Sequence, residues 1–138
     1  MADKNPPMVL DLTWVGDLRF TGKNDDLSIV IDGQKKVGPS PMQLLAFGLA
    51  GCMSIDVVNI VLRGRHSLKA LRTRLTGHRA DARPSYFNGF DLHYVVVGQV
   101  PPEAVERAIQ LSRDTYCSAW HSLRQDIELR TSYEIVPE

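Results

Sequence analysis

The sequence predicts one α+β domain in the order βββ, long helix, ββ, helix, short helical turn, β. Three observations carry that prediction. Apolar and polar residues alternate with period two at both ends of the chain and in its middle. A long, almost wholly apolar stretch follows Ser40-Pro41. The length of 138 residues with 43% hydrophobic content supplies one core, so the expected organisation is a single domain over 1–138.

From Met8 to Val15, Met8, Leu10, Leu12 and Trp14 alternate with Val9, Asp11, Thr13 and Val15, the pattern of a half-buried strand. "GDLRFTG" and "LSIVIDG" follow as two short strands around the turn-rich "GKNDD" and close at Asp32-Gly33, which suggests a meander. Ser40 can cap free amides and Pro41 fits the first helical position, so a helix starts there. It runs to about Leu62 with few polar residues and is expected to be buried nearly all round. Leu71, Thr73 and Leu75, then Phe90, Leu92, Tyr94 and Val96, mark two strands of a hairpin across "HRADARPSYFNG". Pro101-Pro102 opens a second helix with Val105, Ala108 and Ile109 as its apolar stripe, ending near Asp114. Ile127, Leu129, Thr131, Tyr133 and Ile135 give the closing strand its inward face.

Net charge is zero, which commits the chain to neither nucleic acid nor an anionic membrane. The basic residues Arg63, Arg65, Lys69, Arg72, Arg74, Arg79 and Arg83 alternate with apolar ones, as on a solvated strand face. "MADKNPPMVL" lacks the apolar core of a secretory signal, and the apolar run Leu44 to Met53 is short for a membrane span, so a cytoplasmic protein is expected. There, two cysteines read as thiols, metal ligands or a transient redox pair. His66, His78, His93 and His121 show no short paired spacing for zinc, so neither a metal nor another cofactor is expected.

In a helix from Pro41, Cys52 shares a face with Leu45, Gly48, Leu49, Ile55, Asp56 and Asn59. Gly48 and Gly51 there cost helix stability, about 1 kcal/mol each against alanine, so either another backbone packs close or a pocket needs room. Two readings of Cys52 stand: an inert core residue, or a reactive thiol. Cys117, in "TYCSAWHSL", lies where a helix has ended and its sulfur could reach a cleft. His121, one turn on, could stabilise a thiolate there or be a surface residue without a role.

"GPSPMQLLAFGLAGCMSIDVV" and "YCSAWHSL", with cysteines 65 positions apart, resemble the OsmC/Ohr family of thiol-dependent peroxidases over nearly the whole chain. That resemblance implies an OsmC-like fold in an intertwined homodimer, the cysteine-bearing helices central and the sheets outside. It implies reduction of organic hydroperoxides: Cys52 attacks peroxide and becomes a sulfenic acid, Cys117 resolves it as a disulfide, and an external dithiol reduces the pair. It places Met42, Leu45 and Leu49 toward the substrate. Because Cys52 is remote from its helix N-terminus, a cation must activate it, and Arg19 matches the family's arginine. The family's partner to that arginine, a glutamate just after the helix-opening proline, is Met42 here. Arg19 is thereby left without its usual anchor. Asp56 either serves packing through an ion pair or positions the arginine. The departure at Met42 also supports a second reading, a redox-inactive dimer that binds a small apolar ligand or partner.

Overall fold

The computed structural model describes residues 5–138. They form two compact units, within Met1–Leu45 and within Ala46–Glu138. In the first unit β1 (Asp11–Gly16), β2 (Arg19–Asn24) and β3 (Leu27–Asp32) make an antiparallel meander in the order β1-β2-β3. β1 starts at Asp11, later than the alternation from Met8. Its partner β2 ends at Asn24, so pairing stops at Asp11 opposite Lys23 and leaves Met8 and Leu10 without a ladder.

The long helix α1 (Pro41–Arg63) begins as the sequence indicates. Ser40 Oγ accepts from the Gln43 N–H at 3.2 Å, and Gln43 Oε1 accepts from the Ser40 N–H at 2.9 Å, a reciprocal capping box. Burial of α1 is narrower than expected. Leu49, Met53, Val57 and Val61, spaced by four, are buried, while Phe47, Ile55 and Leu62 are exposed. An apolar helix packs one stripe against its own chain; its other faces need a different cover. By length and composition these 23 residues could cross a bilayer, because the helix continues through Ser54, Asp56 and Asn59 where the apolar run stops. Two of these polar groups bond within the protein: Ser54 Oγ and Thr73 Oγ1 lie 2.7 Å apart, and Asp56 accepts from Ser112.

In the second unit β4 (Ser67–Arg79) and β5 (Phe87–Gln99) form the expected antiparallel hairpin, and β6 (Glu128–Val136) pairs parallel to β5 on its other edge. β5 is therefore the central strand. Phe90, Leu92, Tyr94 and Val96 are all at most 1% exposed. With the α1 stripe, Val105, Ala108 and Ile109 of α2 (Pro102–Leu111) and Trp120 of α3 (Ser118–His121), they make the core. Between α2 and α3 the chain takes a π-helical turn, Ser112–Tyr116, where the sequence suggests only a helix end.

Candidate active site

Cys52 and Asp56 stand one turn apart on α1 and project from the same face. Cys117 reaches them by way of the π turn. Its N–H donates to the Ser112 carbonyl at 2.8 Å, the wide i to i+5 bond that closes that turn. Extended backbone at Cys117 then lets it cap α3, its sulfur accepting from the Trp120 N–H at 3.3 Å. Ser112, fully buried, donates its hydroxyl to Asp56 Oδ2 at 2.8 Å. Cys52 Sγ, a carboxylate oxygen of Asp56 and Cys117 Sγ consequently lie within 4.8 Å of one another. Both cysteines are free thiols; Cys52 is half-buried and Cys117 buried.

Burial pushes the Cys117 thiol up, the Trp120 N–H opposes it, and Cys52 and Asp56 add to the rise, bringing it to about 11. At neutral pH Cys117 is a protonated thiol. The Tyr94 hydroxyl is held above its ordinary value first by burial, then by Cys117 and Asp56. Its oxygen is buried without a hydrogen-bond partner among the described residues.

Arg19 finds an anchor in the first unit that Met42 could not supply. It pairs in register with Asp32 across β2 and β3, its Nε 3.4 Å from Asp32 Oδ2. Asp32 is fully buried and accepts the backbone N–H groups of Gln34, Lys36 and Val37 at 2.8 to 3.1 Å. Burial alone would raise its carboxyl, but those three bonds, with Arg19, outweigh it and hold the carboxyl below the ordinary range.

His121 does not serve Cys117: its Nε2 donates to the Arg113 carbonyl at 3.0 Å. Asp56 bonds Ser112, and among the described residues it forms no ion pair with an arginine. Met42 is half-buried, Leu45 half-exposed and Leu49 fully buried. The sequence reading missed Ser112, Tyr94 and Asp32 as members of polar clusters. Tyr94 carried the one usable signal, a hydroxyl on an otherwise apolar inward strand face. Asp32 read only as a turn residue before glycine.

The sequence profile of the OsmC-like protein family matches residues 32–132, which include Asp32, Cys52, Asp56, Tyr94, Ser112 and Cys117. The chain is 35% identical over 126 residues to Protein YhfA of Escherichia coli K12, covering 89% of this chain and 94% of that one. A solved hypothetical protein from Aquifex aeolicus superposes with a TM-score of 0.89 at 28% identity, over 97% of this chain and 99% of that one. An organic hydroperoxide resistance protein OsmC from Legionella pneumophila shares the fold at a TM-score of 0.70 and 15% identity, over 93% of this chain and 96% of the other. A thiol pair bracketed by a matching profile, on a matching fold, leads to one conclusion: the chain belongs to the OsmC-like protein family.

Proposed function

We propose that this protein is a thiol peroxidase that reduces organic hydroperoxides. The observation that supports it best is the pair of unbonded sulfurs within 4.8 Å, one half-buried and one buried. That difference supports a division of roles. A hydroperoxide can reach the half-buried Cys52, whose thiolate attacks the terminal oxygen. The O–O bond breaks, the alkoxide takes a proton and leaves as alcohol, and Cys52 becomes a sulfenic acid. Cys117 then loses its proton, attacks the Cys52 sulfur and expels water, giving a disulfide. The Asp56 carboxylate, within the same 4.8 Å, is placed to take that proton. An external dithiol returns both thiols.

Arg19, oriented by Asp32, is the activating cation in this reading, while Met42, Leu45 and Leu49 form the apolar approach for the alkyl group. The working unit is a cytoplasmic homodimer of single OsmC-like domains. Support for a second copy comes from the exposed Phe47, Ile55 and Leu62 on α1 and from Gly48 and Gly51, beside which a Cβ would meet nothing within 4 Å. One equivalent of cumene hydroperoxide is expected to remove both thiols and yield a Cys52–Cys117 cross-linked peptide by mass spectrometry. Cys117→Ser should stop at a dimedone-reactive sulfenic acid, and Arg19→Ala should slow the reaction at least tenfold. Retention of both thiols under mild peroxide excess would overturn the assignment. It would favour the redox-inactive binder, for which Met42 in place of a carboxylate is the supporting feature.

A further inference from the structure

We propose that the reduced chain also binds a thiophilic divalent cation, Zn2+ by preference, through Cys52 Sγ, Cys117 Sγ and the Asp56 carboxylate. Two sulfurs and one oxygen are the donor types of tetrahedral zinc sites that keep one position open. In such a site bonds of about 2.3 Å to sulfur set the two sulfurs about 3.8 Å apart. The three donor atoms already lie within 4.8 Å of one another, so closure needs side-chain shifts of no more than about 1 Å.

Three further observations point to a cation rather than to a packing cluster. Asp56 is oriented by Ser112, which occupies Oδ2 from the side of the π turn, as an outer partner orients a ligating carboxylate. Thiolate and carboxylate donors are anionic when they hold a metal, yet Asp56 forms no ion pair among the described residues. A divalent ion supplies the missing charge. Tyr94 Oη, fully buried and influenced by both Cys117 and Asp56, is the buried side-chain polar atom left without a partner among the described residues. A water in the fourth coordination position gives that hydroxyl an acceptor.

Binding releases the two thiol protons and occupies both sulfurs, so the loaded site can neither attack a peroxide nor form a disulfide. Conversely, a Cys52–Cys117 disulfide removes both thiolates and with them the site. The cation is thus a reversible cap on the reduced pair. The proposal needs two thiols and a carboxylate and does not depend on peroxidase activity.

The test uses the full chain, reduced, freed of metal with a chelator and handled without oxygen. Titration with Zn2+ against a chromogenic chelator should give one equivalent per chain with micromolar or tighter affinity. Saturating Zn2+ should protect both thiols of the wild type from alkylation. Co2+ used as a probe should show a sulfur-to-metal charge-transfer band that Cys52→Ser weakens, since one thiolate remains. Asp56→Asn, checked for native circular dichroism, should bind roughly tenfold or more weakly. Substoichiometric binding by the wild type, equal alkylation with and without Zn2+, or an unchanged affinity in Asp56→Asn would each overturn the site. Peroxide consumption is not read in any arm, so failure here and failure of the peroxidase reading are separate results.

Discussion

The two sheets carry the same sequence pattern in different surroundings. Phe90, Leu92, Tyr94 and Val96 on β5 are at most 1% exposed, whereas Leu12 and Trp14 on β1, with the same spacing, are 60% and 65% exposed. β5 lies between β4 and β6 under helices of its own chain; β1 is the edge of a three-stranded meander. Period-two alternation says that one face asks to be covered. It does not say by what. The first sheet and the outer faces of α1 each share this property, and exposed apolar residues of that kind mark an interaction face.

Substitution on the two sheets should separate these cases most sharply. Phe90→Ala is expected to cost about 3 to 5 kcal/mol in urea unfolding, through lost transfer energy and the cavity left behind. Leu12→Ser in dilute protein should cost less than about 1 kcal/mol, as exposed substitutions do. In the proposed homodimer it should instead raise the dimer dissociation constant measured by sedimentation. Equal costs for the two variants in dilute protein would erase the contrast.

A second effect, of intermediate size, distinguishes the units by pH. The folded Cys117 thiol is raised from 9.0 to about 11, so the fold favours its protonated form. The stability it contributes is whole below pH 9 and is lost as pH climbs toward 11, by roughly 2 to 3 kcal/mol. Tyr94, also raised, acts with the same sign at higher pH. Asp32 in the first unit is lowered, so its contribution is present above its ordinary carboxyl range and is lost as pH falls through the folded value. Urea midpoints across alkaline pH should therefore fall for the wild type and flatten in Cys117→Ser.

A further small effect lies at the start of α1. Ser40→Ala removes one half of the capping box and should cost about 1 kcal/mol in the urea midpoint. A loss several times larger would mean that the helix start carries packing that its exposed bonds do not show.

Much of this architecture could be read from local rules. Ser40-Pro41 gave away the helix start because a cap and a proline act on their own neighbours, and the alternation along β5 gave away its inward face for the same reason. The pairing of Cys52 with Cys117 came from resemblance to a family and not from spacing, since no local rule joins residues 65 positions apart. Arg19 shows the limit most plainly. With Met42 at the expected carboxylate position it looked unanchored, but register across β2 and β3 sets it against Asp32.

Sequence alone therefore determined the elements, their order and the inward strand faces, because each depends on residues within a turn or two of one another, whereas the role of Cys52 as nucleophile came from the family resemblance. The tertiary structure decided which groups meet. The π turn set Cys117 beside Cys52, buried Ser112 tied Asp56 down, and the central position of β5 left Tyr94 with a hydroxyl and no partner among the described residues. Those outcomes depend on how a widened turn and a central strand are packed, which involves distances through space that a linear pattern does not encode.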